Sequence, residues 1–405
     1  NKTTPLIIAG QQGYHHIAQV LIDAGATVNH PGTNATTSLF WAAKNNRIET
    51  LRVLLDAKAD VELANGVPTS DVIVTLTPPT STCGHRYGKP LWKGTHKLLQ
   101  CCLRPAPTPV LLMMQAIGTD VGLMKLQGER SPLWTASYEG HAAVVADLLA
   151  AGATVGATAL YAAAEAGHED IVRQLLASGA DVNYLTSHLG SALYTASKHG
   201  HESVEGRSPL WTSAFEGHET VVRVLLDAGA FEDLTCNLGA TPLFVAAQEG
   251  NQGVVQQLLN TDATVDMATH EKATPLIVAS TRGLTDIVRM LLVAGADIHL
   301  ADMDGCTPLM KAARNKHPDV VSLLLNAGAN VHERRSSDGA TPFFFACEAG
   351  DVSVARLLID AGADIREPND AGVTPREIAK ANGRAALVAF LDAVASPETS
   401  ELTHN

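Results

Sequence analysis

The sequence predicts an all-α fold, a long stack of short helix–turn–helix pairs instead of one globular core. Three observations predict it. Thr-Pro heads, or close variants, recur 33 residues apart (Ser208 to Thr241, Thr241 to Thr274, Thr274 to Thr307). The 405 residues exceed what a single core usually serves. Apolar residues make up 46% but aromatics only 4%, so the apolar side chains are mostly small and suit close packing of many thin helices.

The anchors are Thr4, Thr37, Ser131, Thr158, Ser191, Ser208, Thr241, Thr274, Thr307, Thr341 and Thr374. The unit beginning at Thr241 shows why each piece should form. The anchor Thr is a good N-cap, and Pro242 behind it is pre-set for a first helical turn. Leu243, Ala246 and Ala247 then fall three and four apart, a stripe along a short inner helix. Alanine there lets neighbouring inner helices approach closely. Gly250 ends the helix where a left-handed residue is wanted. Val254, Val255, Leu258 and Leu259 give a second, outer helix its apolar face. Gly-Ala closes it, as in Gly229-Ala230 and Gly362-Ala363, and an extended turn leads to the next head.

This pattern, Ser208-Pro209-Leu210 through Gly217-His218, Val221-Val222, Leu225-Leu226 and Gly229-Ala230, resembles the ankyrin repeat. About nine units match in register, over roughly residues 1–64 and 128–395. The resemblance implies an ankyrin-repeat α-solenoid: helix–turn–helix pairs with β-turn fingers in a curved, elongated array that binds proteins. One repeat cannot bury its own apolar faces, so stability is a sum over neighbours and the product is a long pre-organised surface.

The breaks in the pattern suggest the organisation. Residues 1–64 read as N-terminal repeats with a truncated start. Residues 65–127 carry seven prolines that forbid continuous helix. They read either as a degenerate, interrupted repeat or as an artefact of the sequence itself, with low order expected in both cases. Residues 128–204 read as repeats with a shortened unit. The step from Ser131 to Thr158 lacks six residues, placed in the finger after Ala153. The step from Ser191 to Ser208 is 17 residues, with an inner helix at 192–200 and no outer helix. Residues 201–207 can span roughly 23 Å extended, enough to run back along that inner helix, so a hole in the outer layer is expected. Residues 205–395 read as regular repeats ending in a cap, because Arg376 and Glu377 put charge where the template is apolar. Residues 396–405 form a polar tail.

The net charge of −13 argues against non-specific nucleic-acid binding and against an anionic membrane surface. No run of about 18 apolar residues is present to span a membrane. Six scattered cysteines imply no disulfide framework and favour a reducing, cytoplasmic or nuclear setting. Several of the 16 histidines follow glycine (Gly140-His141, Gly167-His168, Gly200-His201, Gly217-His218). His199 and His201 could suggest a metal, but no ligand cluster accompanies them. The expected role is to bond local backbone groups beside the helix-ending glycine. Hydrolase, zinc-protease and phosphate-loop motifs are missing from the sequence. The expectation is therefore no catalytic, metal or cofactor residue, and a monomeric scaffold or adaptor with a protein partner. The alternative is the recognition region of a larger kinase or ubiquitin ligase.

Candidate partner-binding residues occupy the seventh and eighth positions after each anchor, where stacking leaves residue choice free. They are Tyr138, Glu139, Glu165, Lys198, Phe215, Glu216, Gln248, Glu249, Arg282, Arg314 and Asn315. In ankyrin-like proteins these positions face the concave side. Tyr138 and Phe215 are the candidate hot spots. Four glutamates followed by Arg282 and Arg314 predict a groove whose sign changes along its length. Trp134, Trp211, Tyr161, Tyr194 and Phe244, just after the stripe leucine, are expected to pack between repeats.

Overall fold

The computed structural model describes residues 3–63, 131–185 and 206–395, which contain twenty α-helices and no strand. In chain order they are α1 (Pro5–Gln12), α2 (His15–Asp23), α3 (Ser38–Lys44), α4 (Ile48–Asp56), α5 (Pro132–Tyr138), α6 (Ala142–Ala150), α7 (Ala157–Ala166), α8 (Glu169–Ala177), α9 (Pro209–Glu216) and α10 (Glu219–Asp227). There follow α11 (Pro242–Glu249), α12 (Gln252–Leu259), α13 (Pro275–Arg282), α14 (Thr285–Val293), α15 (Pro308–Arg314), α16 (Pro318–Asn326), α17 (Pro342–Ala349), α18 (Val352–Asp360), α19 (Pro375–Ala381) and α20 (Ala385–Ala395). Odd-numbered helices are inner, even-numbered ones outer. The chain divides into two compact units. The described parts of the first are residues 3–63, 131–136 and 143–154; those of the second are 137–142, 155–185 and 206–395.

The helix starts follow from local chemistry. The side-chain oxygens of Thr4, Thr37, Ser208, Thr241, Thr274, Thr307, Thr341 and Thr374 each accept the backbone N–H three residues on. Such caps stabilise a helix by about 1 kcal/mol. Thr158 is the exception. α7 begins a residue earlier, at Ala157, with Gly156 as its uncapped N-cap. Ala159 stands where most other units have proline, and the N-cap lies two residues ahead of Thr158; Thr37, followed by Ser38, still caps its own helix, so the missing proline alone does not set this start. At the other end, left-handed glycines at Gly13, Gly167, Gly217, Gly250, Gly283 and Gly350 terminate inner helices.

In the second unit inner helices pack on inner and outer on outer, from α7/α8 through α19/α20. The stripe residues Leu210, Leu243, Leu276 and Phe343 are fully buried, as are Val221, Val254 and Leu258 on the outer helices. Burying each large aliphatic side chain is worth about 1.5–3 kcal/mol. Trp211, Tyr161 and Phe244 are buried between repeats as expected, and Trp134 is half-buried. Tyr194 lies outside the described residues.

The fingers are tight turns closed by Cys236 N–H to the Ala240 carbonyl, 3.1 Å, Thr269 to Ala273, 3.0 Å, and Asp302 to Cys306, 3.1 Å. Neighbouring fingers are joined by backbone bonds, His270 to Leu238 (3.0 Å), Met303 to Glu271 (2.8 Å) and Asp370 to Asp338 (2.8 Å). Between α6 and α7 only residues 151–156 intervene and no finger forms. The expected loss after Ala153 is therefore present.

The junction before Ser208 differs from expectation. α7 packs directly on α9, and α8 directly on α10, so neither layer has a gap there. The predicted hole in the outer layer is corrected. The two flanking hairpins present complementary apolar faces, and direct contact buries both. A lone inner helix between them would leave part of the outer layer uncovered. The inner helix expected at 192–200 lies outside the described residues, as do the segment 65–127 and the tail 396–405.

Candidate docking face

The C-terminal ends of the inner helices are tied together by one repeated device. Gly140, Gly167, Gly217 and Gly283 each lie beneath a side chain from the start of the next repeat's outer helix, and that side chain bonds the preceding inner helix; Gly250 lies beneath Leu284, which makes no such bond. The N–H of His168 Nε2 donates to the Tyr138 carbonyl at 3.0 Å, and that of His218 to Glu165 at 3.0 Å. Asn251 donates to both Ala214 and Phe215 at 2.8 Å, and His317 to Thr281 at 3.0 Å. A Cβ on Gly140 would stand 2.6 Å from the His168 ring, and one on Gly167 2.7 Å from the His218 ring. Glycine is thus needed both for its left-handed backbone and for the space above it. The histidines bond backbone as expected, but in the neighbouring repeat and not locally.

These ties hold the seventh and eighth positions on a common face of the second unit. Tyr138 is 42% exposed, and Glu139, Glu216, Arg282, Arg314 and Asn315 are exposed. Glu165, Gln248 and Glu249 are half-buried. Lys198 lies outside the described residues.

Phe215 is half-buried and stacks on Trp211, with ring centroids 5.5 Å apart and an interplanar angle of 8°. The Arg207 guanidinium lies 4.5 Å from the Trp211 ring and 5.8 Å from Phe215. Arg207 is itself buried, and its part in this face was not read from the sequence.

The charges are partly matched across repeats. Arg282 donates to the Gln248 carbonyl and lies 3.5 Å from the Glu249 carboxylate, which also accepts from the Gln248 amide at 3.0 Å. Arg314 is 3.9 Å from Glu348 and 5.6 Å from the Phe345 ring. Exposed pairs of this kind contribute about 0–1 kcal/mol, so they orient the side chains more than they stabilise the fold.

Two further cations, Lys316 and Arg384, share the face but escaped sequence reasoning. The signal was available. They stand at the ninth and tenth positions after their anchors, where Gly217-His218 and Gly250-Asn251 show the usual occupants. In a finger, Arg335 also lies 4.8 Å from the Phe345 ring and donates to Asp338 at 2.7 Å. That bond holds the Asp338 carboxyl below the usual carboxylate range.

The described cysteines, Cys236, Cys306 and Cys347, are buried free thiols. Burial pushes the Cys347 thiol up to about 12 and also raises Cys306, which keeps both protonated and poorly nucleophilic. Among the described residues no group of three or more His, Cys, Asp or Glu side chains is placed to hold a metal, and no helix is long and apolar enough to cross a membrane.

Paired helices, left-handed glycines and bonded fingers, repeated in register, define a stacked helical-hairpin repeat protein. The family profile described as "Ankyrin repeats (3 copies)" matches residues 1–65, 98–186, 133–231, 188–269 and 255–335, and one described as "Ankyrin repeats (many copies)" matches 316–359. The chain belongs to the ankyrin repeat family. It is 43% identical over 77 residues to "Ankyrin repeat and KH domain-containing protein mask" of Drosophila melanogaster, a match covering 19% of this chain and 2% of that protein's length. A solved structure titled "Crystal structure of human ASB11 ankyrin repeat domain" aligns with 27% identity over 56% of this chain and 96% of that one, at a TM-score of 0.46. Ankyrin repeats indicate a protein–protein interaction domain.

Proposed function

We propose that this chain is a non-enzymatic scaffold or adaptor that holds a protein partner against the inner-helix ends and fingers of its second unit. The observation that carries this reading is the tie between successive inner helices, from His168 to His317. It fixes a run of exposed, variable side chains before any partner arrives. A surface ordered in advance loses little conformational entropy on binding. His168, His218 and His317 are occupied in holding that surface, while His199 and His201 lie outside the described residues, and the buried thiols suit a reducing compartment such as the cytoplasm or nucleus. Tyr138 and Phe215 supply aromatic area, and Arg282 supplies charge.

The test is an affinity pull-down with the full chain and Tyr138→Ala, Phe215→Ala and Arg282→Ala variants, recovered partners being quantified by mass spectrometry. Recovery of at least one specific partner should fall several-fold. Unchanged recovery in all three variants rejects this face.

A further inference from the structure

The second unit carries an open cleft of about 450 Å³ lined by Arg314, Lys316, Glu348, Ala349, Asn382 and Arg384. Three cations and one carboxylate leave it with two net positive charges, on a chain whose net charge is −13. We propose that this cleft seats an acidic peptide segment of the protein partner, its carboxylates held between Arg314, Lys316 and Arg384. The proposal rests on the docking-face reading and adds the chemistry of what docks.

Two of the cations are already positioned. Arg314 is held over the Phe345 ring and beside Glu348. Arg384 donates to the Glu348 carbonyl at 3.2 Å and lies over Gly350, where a Cβ would collide with it. Asn382 donates to the same carbonyl at 3.2 Å. Lys316 is different: among the described residues it makes no ion pair or side-chain hydrogen bond, and it is exposed. It also stands at φ +63°, in the place that Gly217, Gly250, Gly283 and Gly350 hold in other repeats. Any side chain is disfavoured there. Lys58 and Lys272 share that conformation, so strain alone assigns nothing. At Lys316 it coincides with two further cations converging on one cleft.

The class of ligand follows from charge and shape. The cleft is polar and open, unlike the enclosed, largely apolar pockets that bury small molecules. Three cations are few for a nucleic acid, whose affinity depends on many phosphate contacts, and the acidic remainder of the chain repels a polyanion. A short acidic stretch needs only two or so carboxylates in register, and the surrounding negative field favours this one basic spot over others.

The experiment is fluorescence anisotropy on the full chain. The probe is a short labelled peptide alternating Glu with Gly, and the control is its Gln counterpart. Lys316→Gly is the decisive variant, since it removes the charge while restoring the residue the backbone prefers; a thermal melt confirms the fold. Binding of the Glu peptide should weaken about two- to fivefold in Lys316→Gly, by about tenfold when Arg384→Gln is added, and steeply with salt. Equal affinity in wild type and Lys316→Gly, or equal binding of the Gln peptide, overturns the proposal. So does tighter binding of a single-stranded oligonucleotide that Lys316→Gly abolishes. If Tyr138→Ala and Phe215→Ala lower natural-partner recovery while Lys316→Gly leaves peptide binding intact, the docking face stands and this cleft does not.

Discussion

Gly217 and Gly229 flank the same outer helix, α10, and share nearly the same backbone, φ +81° and +82°. Their surroundings differ. A Cβ on Gly229 meets nothing within 4 Å, whereas one on Gly217 would lie 2.8 Å from Asn251 Oδ1 and 2.9 Å from its Cγ. Replacing each by alanine therefore separates backbone strain from the inter-repeat tie. Gly229→Ala should cost only the left-handed penalty, about 1–2 kcal/mol. Gly217→Ala incurs that penalty too, and the Asn251 tip must swing away from it. The clash itself is cheap to relieve, because the obstructing atoms end a flexible side chain. Relief breaks the two 2.8 Å bonds to Ala214 and Phe215, at about 0.5–1.5 kcal/mol each. The expected difference is about 1–3 kcal/mol, with Gly217→Ala the less stable. Urea titration followed by far-ultraviolet circular dichroism measures both, and any uncoupling within the array affects the two alike because they sit in one repeat. If the two variants fall within about 0.5 kcal/mol of each other, the side-chain-over-glycine tie is not what joins these repeats.

Two other outcomes follow from burial and charge. Burial raises the Asp266 carboxyl above its ordinary value, with Asp297 close by adding to the rise, although it accepts the Asp297 N–H at 3.1 Å. Asn183 makes the corresponding bond to Phe231 with an uncharged amide, so Asp266→Asn should raise the melting temperature at pH 7. Because the folded value is raised, the penalty in the wild type is fully present above it and vanishes below the unfolded value near 4, so the two proteins should melt together at pH 3; a gain that persists there refutes the account. Ile17 and Val221 are each the third residue of an outer helix, but Ile17 is 52% exposed and Val221 fully buried. Ile17→Lys should therefore change urea stability by no more than about 0.5 kcal/mol, while Val221→Lys, which buries an unpaired charge, should unfold the region.

What could be read in advance divides along a physical line. The caps at Thr241 and Thr274, the left-handed glycines and the buried stripe from Leu243 to Ala247 depend on residues within a few positions of one another, and the sequence displays those relations directly. Thr158 shows the limit of even that local rule. Thr37 before Ser38 caps its helix whereas Thr158 before Ala159 does not, so a good capping residue without a proline behind it leaves the start undecided. The partners of the histidines are a different matter. Gly167 looks like an ordinary helix end, and only the stack reveals that His218, 53 residues beyond Glu165, closes over it. That separation is 36 at His317 and 30 at His168. The excess and the deficit match the extra 17 residues before Ser208 and the six missing before Thr158. The same tie forms at all three junctions, so the stack sets the spacing in space and the connecting chain adapts to it. This is why an expected hole in the outer layer closed, and why Lys316 and Arg384, unremarkable as isolated surface charges, meet in one cleft from turns two repeats apart.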